Sequence, residues 1–310
     1  MGYRFLVAAT AAVALTLLFS GSVAAENRRS TGLGIDIDFY TGPIPDDSWQ
    51  QMREAGQQFA IVQAWGGRSR NEFAVSQLSG ARSIGMKTAA YVLLNYDDKV
   101  CSTFAHPVRD NNGKCEGDPI PQPKSGGRWQ VQQGLAALGS QRAQVAFVAI
   151  DVEWFLAAPP STDASARGRH RQYILDAIDE VRKSGKRPVI YTRNGQGHWL
   201  DITGCAATSS EGGCVALYKN INDPSKPVPL WDVQDGAPDL GNFQPHSGWT
   251  ERAGRQYKLD QNFFGLPSDR TIDLNVFDLS LFSQETRDAV RTLHSSGRPR
   301  HRAPKSKRLS

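Results

Sequence analysis

The 310-residue chain is poor in the residue types that usually announce metal or cofactor chemistry. It has six histidines, four cysteines and three methionines. The histidines are scattered, with no H-E-x-x-H or H-x-H spacing to turn two ligands toward one ion. The cysteines include no C-x₂-C pair and have no neighbouring histidine partner, so a zinc site lacks its ligand set. No G-x-G-x-x-G follows the first strand-like run, which leaves a dinucleotide site without support. No G-x-S-x-G elbow and no P-loop occur. The body carries no basic patch interleaved with aromatics, so no nucleic-acid partner is expected. Neither a metal nor a cofactor is expected.

Long apolar runs are scarce as well. The longest, Phe5 to Phe19, follows Arg4 and precedes Val23-Ala24-Ala25. This order reads as a signal peptide over 1–25, cleaved near Ala25, with export to an extracellular or periplasmic space. The run is short for a spanning helix, and an uncleaved anchor is the alternative. Cysteine usage agrees with an oxidising compartment. Proximity favours the pairs Cys101–Cys115 and Cys205–Cys214 among the three possible connectivities, each pair lying in a loop-like polar stretch. At the other end, Arg298 to Ser310 hold six Lys/Arg and no acid, and removing them takes the net charge from +5 to −1. The segment 295–310 reads as a disordered basic tail. It suits an anionic cell-wall or membrane surface, and equally a tail with no partner.

Between these ends two textures alternate. Runs rich in β-branched and aromatic residues read as strands over Gly34–Tyr40, Phe59–Trp65, Lys87–Tyr96, Ala146–Trp154, Arg187–Thr192 and Val228–Val233. Shorter strands are expected near Gln256–Leu259 and Ile272–Phe277. Helical spacing marks Ser48–Ala55, Glu72–Ile84, Arg128–Leu138 and Arg167–Lys183. In the last of these Tyr173, Ala177, Ile178 and Val181 share one face. Alternating strands and helices imply a parallel sheet under covering helices. With this many strands, an α/β fold of the (β/α) barrel type leads over an open doubly wound sheet. No repeat and no interdomain linker is visible, so 26–294 reads as one domain, expected to be monomeric.

Reactive residues of such barrels collect at the C-terminal ends of strands. Asp36 and Asp38 lie late in the first strand, and Asp273 lies in Thr271-Ile-Asp-Leu-Asn-Val-Phe277. Asp151 and Glu153 close the run that starts at Ala146. Two apart in a strand, they face the same side with Cα atoms roughly 6.5–7 Å apart. Two carboxylates on one face of a desolvated cleft disfavour joint ionisation, so one is pushed toward the protonated form and can act as a general acid. Glycosidic cleavage needs such an acid together with a second carboxylate. A D-x-E that merely ends a strand in solvent fits the spacing equally well. Trp154 and Phe155, just after the pair, favour a walled site, and seven Trp and eight Tyr suit sugar platforms as well as core packing.

The residues now resemble a known family. Gly34-Ile-Asp-Ile-Asp-Phe-Tyr-Thr-Gly42 is similar to the opening strand of glycoside hydrolase family 25, the Chalaropsis-type lysozymes or N-acetylmuramidases. Ala149-Ile-Asp-Val-Glu153 resembles its D-x-E strand, and Pro188-Val-Ile-Tyr-Thr192 its I-Y-T strand. Pro229-Leu-Trp231, Gln256-Tyr257 and Ile272-Asp-Leu-Asn-Val-Phe277 resemble its later segments. The matches keep family order across about residues 33–278. The resemblance implies an irregular TIM-like (β/α) barrel that hydrolyses the β-1,4 bond between N-acetylmuramic acid and N-acetylglucosamine in peptidoglycan.

Under that resemblance Glu153 is the general acid, and Asp151 orients the substrate's 2-acetamido group or stabilises developing positive charge. Asp36 and Asp273 match the other two acids of the cleft. Tyr91 and Tyr191 fall where the family tends to place aromatics near the sugar, and Trp231 and Gln256 line the same cleft. The implied mechanism uses the substrate acetamido as internal nucleophile. A glycosidase for another amino-sugar polymer and a non-catalytic glycan-binding protein are the alternatives. There are departures. Asp38 stands where a small polar residue is usual; it either perturbs its neighbours and the subsite or only bonds locally. Phe39 replaces a polar side chain, and Trp65-Gly66-Gly67 replaces a smaller, more polar stretch. Trp231 is followed by an atypical Asp232-Val233-Gln234, and Asp232 and Asp235 read as surface or rim residues.

Overall fold

The computed structural model describes residues 29–96, 126–153, 164–195, 197–206 and 209–283. Expectations for the signal segment, the Cys101–Cys115 pair, Trp154, Phe155 and the basic tail lie outside the described residues. Eight strands close a barrel in chain order. They are β1 (Thr31–Ile37), β2 (Gln57–Gly66), β3 (Lys87–Leu93), β4 (Phe147–Asp151), β5 (Arg187–Thr192), β6 (Leu230–Val233), β7 (Gly254–Gln261) and β8 (Ile272–Asp278). Helices α1 (Asp46–Glu54), α2 (Ala74–Ser83), α3 (Gly127–Ala137), α4 (Ala164–Lys183), α5 (Trp199–Thr203) and α6 (Gly212–Ile221) follow from the intervening segments. The fold is the irregular α/β barrel that the sequence implied, and Cys205 and Cys214 form a disulfide.

One expectation is corrected. The sheet is parallel from β1 through β7, but β8 is antiparallel to both β7 and β1. The chain passes from β7 to β8 through a short connection with no helix, so it returns as a hairpin rather than a crossover. Asp273 therefore stands at the N-terminal start of its strand. It still reaches the same end of the barrel as the C-terminal ends of β1 to β7, because its strand runs backwards.

Period-two alternation sorts the side chains into two cores. Outward residues such as Ile35, Val62, Val92, Val148 and Ile190 meet the helices, whereas Phe59, Ile61, Ala89, Phe147, Ala149, Val189, Trp231 and Phe277 fill the barrel itself. All five residues of β4 are buried, as a strand covered on both faces requires. Small and large side chains interlock. A Cβ on Gly34 would come within 2.3 Å of the Phe59 ring, and one on Gly254 within 2.3 Å of Phe277. These glycines make room for Phe59, Phe147, Phe277 and Phe282, whose rings pack 4.7–5.9 Å apart and plug the lower barrel. Helix α4 buries His170, Ile174, Ala177, Ile178 and Val181 along one stripe. It stops where Gly185 adopts a positive φ of 77°. There Gly185 N donates to Arg182 O at 3.0 Å and Lys186 N to Val181 O at 3.3 Å, a Schellman closure that turns the chain into β5.

Candidate active site

Above the phenylalanine plug the inward columns turn polar, and the barrel opens into a cleft of about 470 Å³. All nine residues singled out for a substrate site line it: Asp36, Asp38, Tyr91, Asp151, Glu153, Tyr191, Trp231, Gln256 and Asp273. Gln63, Phe39, Tyr40 and Arg68 join them. Among the described residues five carboxylates thus face one another, with Arg68 as the lining cation.

Asp36 and Asp273 are direct cross-strand partners of β1 and β8. Their separation is bridged by one amide: Gln256 Nε2 donates to Asp36 Oδ2 and to Asp273 Oδ2, both at 2.9 Å. Asn275 Nδ2 adds a bond to Asp36 Oδ2 at 2.6 Å. The orientation of both amides follows from their other neighbours. Trp231 Nε1 can only donate, and it meets Asn275 Oδ1 at 2.9 Å, so the Asn275 NH₂ must face Asp36. Tyr191 OH likewise donates to Gln256 Oε1 at 2.7 Å, turning the Gln256 NH₂ toward the acids.

Burial raises the pKa of Asp36 well above the ordinary carboxylate range, and the Asp273 charge adds to it; the Asn275 and Gln256 bonds pull the other way. Asp273 is pushed up to about 7, chiefly by burial, against a bond from the Asp260 backbone N–H. Desolvated carboxylates at this spacing do not ionise together readily, so the pair holds a proton near neutral pH. Tyr91 accepts from Gln63 Nε2 at 3.1 Å. Burial, with the acids around them, also pushes the phenols of Tyr91 and Tyr191 up, which keeps both as hydroxyl donors.

On the facing wall β4 ends at Asp151, two residues before Glu153, the last described residue of the expected Ala146–Trp154 run. Pairing nevertheless extends to Val152, whose N–H donates to Tyr191 O at 2.9 Å and whose carbonyl accepts from Thr192 Oγ1 at 2.9 Å. The alternation therefore carries through, and Asp151 and Glu153 both enter the cleft. Asp151 is deep, at 4% exposure, and its Oδ1 has no hydrogen-bond partner among the described residues. Burial, then the charges of Glu153 and Asp36, raise its pKa well above the usual range. The Glu153 side chain is 27% exposed, at the rim, with Oε2 lying 3.2 Å from His198 Nε2.

His198, Arg193, Gln63 and Asn275 escaped the sequence reading. Arg193 Nε donates to His198 Nδ1 at 3.2 Å. An acceptor at Nδ1 leaves the hydrogen on Nε2, directed at Glu153. The local pattern gave one usable hint for Asn275, because it stands two residues from Asp273 on the inward face of the same strand. Tyr96 is also near: it is buried, its hydroxyl has no hydrogen-bond partner among the described residues, and burial with Asp151 and Glu153 raises its pKa.

The departures resolve locally. Asp38 Oδ1 accepts from Thr41 N at 2.9 Å and Thr41 Oγ1 at 3.1 Å, so its carboxylate closes its own turn at the cleft edge. Phe39 packs 5.7 Å from Phe73. Trp65 points away from the cleft, with Nε1 donating to Gln130 Oε1 at 3.2 Å. Asp232 corrects the sequence reading: it is 6% exposed rather than at the surface. It pairs at 2.9 Å with the fully buried Arg252, a cation that cannot be left without a counter-charge. Asp235 is exposed, as expected. Among the described residues no group of three or more His, Cys, Asp or Glu is placed to hold a metal ion.

No protein-family model and no curated protein matches the chain. Solved structures do match. The bacterial lysozyme from Streptomyces coelicolor shares the fold at a TM-score of 0.55 and 19% identity, covering 82% of this chain and 96% of that one. A muramidase from Acremonium alcalophilum aligns at a TM-score of 0.53 and 18% identity, over 81% and 96% of the two chains. One from Trichobolus zukalii gives 0.51 and 16%, over 86% and 99%. At such identities the likeness is one of fold.

Proposed function

We propose that this chain is a glycoside hydrolase of the family 25 type. It cleaves the β-1,4 bond between N-acetylmuramic acid and N-acetylglucosamine in peptidoglycan, and it is exported. The observation that carries the reading is Asp151. A buried carboxylate oxygen without a hydrogen-bond partner among the described residues, facing a cleft, is costly unless a ligand supplies a donor. The N–H of a 2-acetamido group supplies one. Glu153 sits two residues on, at the rim, where it can protonate the glycosidic oxygen and regain its proton from solvent.

In this reading Glu153 gives its proton to the leaving oxygen as the C1–O bond breaks. The acetamido carbonyl oxygen bonds to C1, and Asp151 holds the acetamido N–H as positive charge develops there. Water, deprotonated by Glu153, then opens the cyclic intermediate and restores the acetamide. Tyr91 and Tyr191 orient the sugar, and Asp36 with Asp273 forms the electrostatic floor beneath it. Export is supported by the Phe5–Phe19 run ahead of Ala25 and by the oxidised Cys205–Cys214 pair. The structural relatives named above, lysozyme and muramidases, support the same reading.

Mass spectrometry of fragments from defined peptidoglycan tests it. Fragments with reducing N-acetylmuramic ends are expected. Cleavage of chitin-type polymers instead indicates another amino-sugar substrate, and wall binding without new reducing ends indicates a non-catalytic binder.

A further inference from the structure

The barrel is electrically lopsided along its axis. Among the described residues its mouth carries five acids and Arg68. Its opposite end, where β4, β5 and β6 begin, holds a groove of about 1430 Å³ lined, among the described residues, by six cations, Arg29, Arg142, Arg182, Lys186, Arg187 and Lys226, against two acids, Glu251 and Asp278. Both acids are ion-paired to Arg29. Arg182 is occupied by the carbonyls of Asn220 and Lys226 and by Asp179. Lys186 donates to Ala143 O at 3.0 Å and Val145 O at 2.8 Å. Arg142, Arg187 and Lys226 are exposed, and their side chains make no hydrogen bond or ion pair among the described residues. Arg142 lies close enough to Lys186 to lower its pKa together with burial. Asp223 lies close enough to Arg182 and Lys226 to feel their charge; the remaining excess of cations over acids is crowded like charge, which costs stability.

We propose that this basal groove binds a linear phosphate-bearing polymer. Guanidinium groups favour oxyanions that accept paired N–H bonds, and four of the six cations are arginines. The concavity decides between polymer and membrane: a flat lipid surface meets only the groove's edge, whereas a flexible chain can lie in it and reach Arg142, Arg187 and Lys226 together. The groove opens on the end opposite the acidic cleft, so an anionic chain held there is kept away from the repulsive field of the mouth. The site would hold the protein on a surface while leaving the cleft free. It does not depend on what the cleft hydrolyses.

The probe is inorganic polyphosphate, titrated against the full-length protein by fluorescence anisotropy or calorimetry. Two variants separate the groove from the basic C-terminal segment. One is Arg142→Gln/Arg187→Gln/Lys226→Gln; the other replaces the six Lys/Arg of Arg298–Ser310 by Gln in the full chain. Saturable binding that weakens with added salt is expected for the wild type. The groove variant should weaken it at least tenfold with unchanged melting temperature and unchanged cleft activity, and the tail variant should keep it within threefold. Three outcomes overturn the proposal: no saturable binding, loss on the tail variant with the groove variant unaffected, or tighter groove-dependent binding of anionic vesicles than of polyphosphate.

Discussion

The imidazole Nε2 of His198 stands 3.2 Å from Glu153 Oε2, and its other nitrogen is held by Arg193. The contact fixes where the rim carboxylate points without placing His198 on the substrate. Replacing His198 by Ala should lower kcat about tenfold, the worth of one hydrogen bond to a reacting group, with little change in KM. His198→Gln, which can still donate, should recover part of the loss. Steady-state kinetics on a soluble glycan fragment separates the two parameters. An equal rise in KM would mean that His198 binds substrate instead.

Asp273 gives a pH signature. Its folded-state pKa is about 7, above the unfolded value near 3.9. Between those values the folded chain binds more protons than the unfolded one, so stability falls as pH rises from about 4 to about 7. Asp36 and Asp151 are raised as well and act in the same direction. Asp273→Asn should flatten the pH dependence of the melting temperature and raise it at pH 8, while reducing activity. Thermal melts across pH 4–8 check the sign.

Trp231 acts through Asn275. Phe in its place keeps most of the ring packing but removes the indole N–H that sets the amide. Asn275 is fully buried, so the orphaned oxygen should cost about 1–3 kcal/mol. Denaturant unfolding of Trp231→Phe measures this, and activity should drop with it because Asp36 loses a fixed donor.

The Cys205–Cys214 bridge closes a short loop at a sequence separation of 9. Removing it as a Ser pair should destabilise the fold by about 2–3 kcal/mol. The bridge joins the chain just after α5 to α6 and does not line the cleft, so activity at low temperature should persist. Chemical denaturation with and without reductant tests this on the wild type as well.

Much of this architecture was legible because a strand's period is local. The buried run ending at Asp151, the inward acids of β1 and β8 and the one-face pattern of α4 can all be read within a single segment. What escaped was set through space. The antiparallel return of β8 depends on a short connection with no helix, whose handedness no periodicity encodes. Asn275 and Gln63 look like ordinary strand amides until Trp231, Tyr91 and Asp36 surround them. His198 reaches Glu153 from a loop 45 positions away. Asp232 looked like a rim acid because its partner, Arg252, lies 20 residues on and comes beside it only when the barrel closes.

The most direct measurement is reducing-end release from purified peptidoglycan by Glu153→Gln beside the wild type. Circular dichroism and melting temperature would confirm the same fold. The account predicts activity reduced by at least a thousandfold at every pH, with wall binding retained. Near-native release by Glu153→Gln would contradict it and remove Glu153 as the proton donor.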